Sequence, residues 1–165
     1  MTLYQIDGLS GTGKSTLASE LRRRGHRAVD ADAEFGYYGD PATGRPSKIM
    51  IRDHWIWDLD RLRTFAAEVA DGHVFLCGGA LNQEQVLDLF ARRFVLHIDN
   101  DTLRHRLRTR TNNDNGKAPA ELAEQLRLNE QALVDAERQG TAVIDATRPI
   151  ADVATEILAR VRRRA

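Results

Sequence analysis

Short apolar runs that end in glycine or aspartate alternate along this chain with longer stretches whose apolar residues fall at helical spacing. Residues 2–7 form the first run, which stops at a glycine-rich turn; residues 14–24 then place Leu17, Ala18 and Leu21 on one face of a helix. Residues 26–30 predict a second strand, and residues 73–77, 94–98 and 141–145 predict three more. Residues 49–71 carry Leu59, Leu62, Phe65, Ala66 and Val69 at helical spacing and end beside Gly72, so they predict two helices, split near Trp57. Further helices are expected over residues 83–92, from a cap at Asp99 or Asn100 to about Arg110, from Pro119 to about Arg138, and over residues 150–163. Residues 32–48, rich in Gly, Pro and Tyr, read as an irregular connection, and the polar residues 111–118 as a mobile loop between two helices.

Strands that alternate with helices imply an α/β fold with a parallel sheet covered on both faces, because each parallel crossover needs a helix to bring the chain back. Five strands suit 165 residues, enough for one core and too few for two ordinary ones, so residues 1–165 are read as a single domain. No internal repeat or low-complexity segment is present.

Charge narrows the partners. Acidic and basic side chains, 24 of each, balance, so no global field draws nucleic acid or an anionic membrane, and any anionic ligand needs a local site. Cys77 is the single cysteine and lies in an apolar run, which excludes an internal disulfide and a cysteine zinc site and predicts a buried thiol. The chain enters an apolar strand within a few residues of Met1 and has no segment apolar enough to span a bilayer, so a cytoplasmic protein is expected. The Arg162-Arg163-Arg164 end reads as a solvated helix terminus, well placed against the helix dipole.

The chemistry concentrates in Gly8-Leu9-Ser10-Gly11-Thr12-Gly13-Lys14-Ser15, a G-x-x-x-x-G-K-S motif that follows a strand and opens a helix, as such a motif must. Gly8, Gly11 and Gly13 permit positive backbone angles, so the amides of a loop that includes Ser10, Thr12 and Thr16 can turn inward around phosphates at a helix N-terminus. Lys14 can bridge the outer phosphates and the Ser15 hydroxyl can ligate magnesium, which makes ATP and Mg2+ the expected ligands.

With this motif the chain resembles the nucleotide-kinase-like branch of P-loop proteins, particularly shikimate kinase, gluconate kinase and the nucleoside monophosphate kinases. The resemblance spans nearly the whole chain. It implies a three-layer P-loop kinase fold: a five-stranded parallel sheet in the order 2-3-1-4-5, helices on both faces, an acceptor region at about residues 32–72 and a short lid at about 110–120. In that branch the second strand ends in an acidic pair, and Asp30-Ala31-Asp32 stands at the corresponding place. Carboxylates one residue apart at a strand end can point to different sides. Asp30 is assigned to the metal and Asp32 to the acceptor, whose proton it would take, with the reverse assignment left open. Gly78-Gly79 matches the glycine pair that the resembled kinases place near the acceptor, and no aspartate ends that third strand at Cys77 as in a conventional Walker B motif. Arg106 and Arg110 share a helical face and resemble lid arginines that close over ATP; Lys117 assists them or is simply solvated. Arg148 lies where these kinases grip adenine and could stack on the base.

Phe35, Tyr38, Arg52 and Trp55 offer aromatic faces and a cation suited to a ring-shaped acceptor. Trp55 and Trp57 cannot share a helical face, so at least one is core. The arginines that hold the acid in shikimate kinases have no clear equivalents in register, and Arg52 is only a loose match. The expected function is therefore ATP-dependent phosphoryl transfer to a hydroxyl or phosphate of a nucleoside, nucleotide or shikimate- or sugar-like acceptor, by a monomer or homodimer. A nucleotide-gated switch competes with it, although the Asn-Lys-x-Asp motif of a guanine switch is absent. A 5′-end nucleic-acid kinase shares the core, but zero net charge counts against that partner.

Overall fold

The structure is a computed structural model that describes residues 2–69, 72–111 and 116–162. In chain order it contains β1 (Thr2–Gly8), α1 (Lys14–Arg23), β2 (Arg27–Asp30), α2 (Ala31–Phe35), β3 (Gly36–Tyr38), β4 (Trp55–Trp57), α3 (Leu59–Glu68), β5 (His73–Cys77), β6 (Phe90–His97), α4 (Asn100–Thr109), α5 (Pro119–Arg138), β7 (Ala142–Asp145) and α6 (Ile150–Arg162). Five strands form one sheet in the order β2-β5-β1-β6-β7, with every pairing parallel. Counted among themselves these strands run 2-3-1-4-5, as expected. The chain leaves β1 toward one edge and later returns to fill the other, so the C-terminal end of β1 is the switch point where α/β sheets open a crevice.

Two apolar cores sandwich the sheet. Tyr4 and Ile6 pack with Leu17 and Leu21 of α1 and Val153 and Ile157 of α6, whereas Leu3 joins Val74, Leu76, Trp57, Leu62 and Ala66. Alternation along β1 therefore sends neighbouring residues to opposite layers. Cys77 is buried in the first layer, and burial pushes its thiol up to about 12. Aspartates set the helix starts: Asp30 caps α2, Asp58 caps α3 and Asp99 caps α4, each accepting from a backbone amide three residues on.

Three expectations are corrected. Residues 49–71 do not begin with a helix: Trp55-Ile56-Trp57 is a strand that pairs antiparallel with Gly36-Tyr37-Tyr38 after a 3₁₀ turn over Arg52–His54. The tripeptide consists of aromatic and β-branched residues, and β3 offers it an edge, which outweighs the weak helical spacing. Residues 83–92 form a kinked 3₁₀ stretch, Gln83–Leu89, and β6 already starts at Phe90, because residues 90–96 complete the ladder with β1. The connection at residues 32–48 opens with regular structure, α2 and β3. The expected ends at Asp71 and Arg163, and the centre of the expected lid at residues 112–115, lie outside the described residues.

Candidate active site

At the end of β1 the chain turns through the glycine-rich loop and enters α1 from Gly13, whose φ of 104° is left-handed and therefore favours glycine. The loop is braced from within: the Thr12 amide and hydroxyl both donate to the Leu9 carbonyl, the hydroxyl at 2.8 Å, and Thr12 is buried. Lys14 lies folded back on the loop, its ammonium donating to the carbonyls of Gly8 and Leu9. Ser10 and Gly11 complete the turn, and Ser15 and Thr16 lie in the first turn of α1.

The two halves of the acidic pair point to different partners. Ser15 Oγ donates to Asp30 Oδ2 at 2.9 Å, while Asp30 Oδ1 caps α2 through the Ala33 amide. These adjacent hard oxygens fit magnesium. Among the described residues no cluster of three or more His, Cys, Asp or Glu side chains could hold a metal, so the remaining ligands would be phosphate oxygens and water. Asp32 turns the other way: its Oδ1 accepts from the Gly79 amide at 3.1 Å and from Trp57 Nε1 at 3.3 Å. Burial raises its carboxyl above the usual range, against the pull of the Lys14 charge and of these two hydrogen bonds.

The glycine pair is sterically required. A Cβ on Gly78 would lie 2.6 Å from Asp32 Oδ1, and one on Gly79 would lie 2.1 Å from Asp7 Oδ1. Asp7 is the residue that the sequence reading missed. Its Oδ1 accepts from the Gly8 amide at 2.6 Å and its Oδ2 from Gln83 Nε2 at 3.0 Å. The signal was available: a central parallel strand is normally apolar on both faces, and Gln5 and Asp7 break that rule two residues apart on one face.

The two arginines differ in role. Arg106 Nη1 reaches the carbonyls of Gly11 and Thr12, and its Nη2 the carbonyl of Ala146 at 3.1 Å, so it braces the phosphate loop against the segment after β7. Arg110, at the end of α4, donates to Ser10 Oγ at 2.7 Å on the loop's rim. Arg104 pairs with Asp101, and Arg108 and Lys117 are exposed. Arg148 donates to the Asp145 carbonyl and pairs with Glu156 on α6, which fixes its guanidinium beside the loop after β7.

Across the β3–β4 pair Tyr38 meets Trp55 edge to face at 5.1 Å, and both rings are half-buried. Phe35, expected to contact substrate, is instead core: it is 3% exposed and packs on Phe65 and the second apolar layer, because α2 turns it inward. Trp57 is also core, with only its indole N–H directed to Asp32. Arg52 opens the 3₁₀ turn that precedes β4.

A parallel sheet in this order, with a phosphate loop at its switch point, defines a P-loop protein of the nucleotide-kinase-like fold. The chain belongs to the AAA domain family, whose model matches residues 5–127. Among solved structures it is similar to a shikimate kinase from Acinetobacter baumannii in complex with shikimate, 16% identical with a TM-score of 0.67 over 99% of this chain and 94% of that one. It is also similar to a gluconokinase from Sinorhizobium meliloti 1021, 20% identical with a TM-score of 0.57 over 99% and 93% of the two chains. A deoxyadenosine kinase from M. mycoides is 14% identical, with a TM-score of 0.58 over 99% and 100%. No curated protein matches the sequence.

Proposed function

We propose that this protein is an ATP-dependent small-molecule kinase that transfers a γ-phosphoryl group to a hydroxyl or phosphate of a nucleoside, nucleotide or shikimate- or sugar-like acceptor. The observation that carries this reading is Asp32, a half-buried carboxylate held by Gly79 and Trp57 within electrostatic reach of the P-loop lysine. Bare ATP hydrolysis has no need of it. The kinases named above share the fold, and phosphoryl transfer is the chemistry that suits such a carboxylate.

In this reading the loop of Gly8 to Thr16 cradles the phosphates of ATP, and Lys14 leaves the carbonyls of Gly8 and Leu9 to meet the outer ones. Ser15 and Asp30 hold magnesium, which neutralises phosphate charge when bound. Asp32 orients the acceptor and takes its proton as the new bond forms; Arg110 swings from Ser10 to the transferring group, while Arg106 keeps the loop in shape. Arg148 flanks the adenine, and Tyr38, Trp55, Gly78 and Gly79 line the acceptor region, while the side chain of Arg52 lies outside the described residues. The partner is a small molecule, not nucleic acid or membrane, and the protein works in the cytoplasm as a monomer or homodimer. No described helix is long and apolar enough to cross a membrane.

The test is ADP release from Mg·ATP with nucleosides, nucleotides, sugars, shikimate-like acids and aminocyclitols. At least one acceptor raises the rate, and Lys14→Ala abolishes the gain. If every candidate matches the buffer blank, the kinase reading fails; capture of a protein partner only in the ATP state would put a switch in its place.

A further inference from the structure

Gln5 is fully buried in the central strand, a place where an unpaired amide would be costly. Both ends of its side chain are satisfied: Oε1 accepts from Arg93 Nε at 2.9 Å, and Nε2 donates to Gln83 Oε1 at 2.6 Å. Gln83 Nε2 donates in turn to Asp7 Oδ2 at 3.0 Å, and Gln139 Oε1 accepts from Arg93 Nη1 at 3.1 Å. A guanidinium can only donate and a carboxylate only accept, so the two charged ends fix the orientation of both amides between them. The result is an unbroken line of donors from the Arg93 cation to the Asp7 anion, through the sheet.

The near end of that line is at the phosphate loop. Asp7 Oδ1 is bonded to the amide of Gly8 and lies against Gly79, whose own amide holds Asp32. One glycine thus separates two carboxylates, both fixed from behind, in the region of Lys14. Resting on the kinase reading above, we propose that Asp7 is a second acceptor-orienting carboxylate, positioned by Arg93 through Gln5 and Gln83. The Asp7–Asp32 pair then restricts the acceptor to a hydroxyl compound with two donors, such as a vicinal diol or an amino alcohol. A diol or an amino alcohol can give one hydrogen bond to each carboxylate, whereas the phosphate dianion of a monophosphate has none to give and sets its charge against both. In the transfer, the alcohol oxygen bonds to the γ-phosphorus, the bond from that phosphorus to the β–γ bridging oxygen breaks to leave ADP, and the hydroxyl proton passes to the carboxylate that held it.

Two panels test this with the intact protein and Mg·ATP, with products read by 31P NMR: AMP, CMP, GMP and UMP in one, and phosphate-free nucleosides, aldoses, hexitols, inositols and aminocyclitols in the other. The expected product is a phosphate monoester from the second panel and none from the first. A phosphoanhydride formed from any monophosphate overturns the restriction and leaves the kinase reading intact; no product from either panel overturns both. With the accepted alcohol, Asp7→Asn lowers kcat/KM for the acceptor about 100-fold. Gln83→Leu, which leaves the phosphate loop untouched, gives a smaller loss in the same parameter, and both variants keep the wild-type KM for ATP. Arg93→Lys restores part of what Arg93→Leu loses. An unchanged acceptor KM and kcat in Gln83→Leu, or losses that fall equally on ATP, would remove Asp7 from the acceptor site.

Discussion

A buried carboxylate stores a conflict that its acid does not, and Asp32 shows it: burial raises its pKa despite Lys14 and two hydrogen bonds. The sign follows from linkage. A carboxyl whose folded pKa lies above its unfolded one stabilises the fold while it is protonated, and that contribution is lost as pH rises through the folded value. Asp32→Asn keeps an oxygen for Gly79 and Trp57 but carries no charge. It is expected to melt above the wild type at about pH 8, with the gap closing as the wild-type carboxyl becomes protonated toward about pH 4, as read by thermal unfolding across that range. The same variant should retain nucleotide binding and lose transfer. In the wild type, the acid limb of kcat/KM should lie above the ordinary carboxylate range, since the base works only when ionised.

In the proposed reading the β3–β4 hairpin presents the acceptor side, and it closes over a glycine. A Cβ on Gly36 would lie 2.2 Å from Trp55 Cζ2 and 2.3 Å from the Asp32 carbonyl, and a backbone atom has little freedom to retreat. Gly36→Ala should therefore cost about 1–3 kcal/mol in urea unfolding and weaken acceptor use while nucleotide affinity holds, because the displaced groups are Trp55 and Asp32. This hairpin also marks where the sequence was hardest to read. The five strands of the main sheet announced themselves, since buried parallel strands are apolar and stop at glycine or aspartate. The phosphate loop was likewise legible from its spacing, while Asp30 opposite Ser15 was expected from the resemblance to the P-loop kinases. A three-residue strand is too short for a period to show, and its pairing with residues 36–38 is a tertiary choice. Phe35 was misread for a related reason: an aromatic in an irregular stretch says nothing of its direction until α2 turns it into the core. Asp7 escaped because its partner Gln83 lies far along the chain, so only the fold brings them together.

Across the whole molecule the nucleotide site is a seam. The phosphate loop belongs to β1 and α1, Arg106 and Arg110 come from α4, and Ala146 from the segment after β7. A ligand that fills this seam stabilises every element that borders it, by about 2.7 kcal/mol at a hundredfold excess over Kd. For a domain of this size that corresponds to a rise of roughly 5–10 °C in Tm, which an ATP analogue should produce and Lys14→Ala should remove. The two arginines then separate. Arg106 joins two loop carbonyls to the β7 segment before any nucleotide arrives, so Arg106→Leu should lower the Tm of the free protein and reduce the nucleotide-induced rise. Arg110 meets the loop at its rim, where it donates to the Ser10 hydroxyl, so Arg110→Leu should act on kcat, by about 100-fold or more. If Arg106→Leu left both the free Tm and the nucleotide-induced rise unchanged while kcat fell, Arg106 would be the group that meets the transferring phosphate and not the brace of the seam.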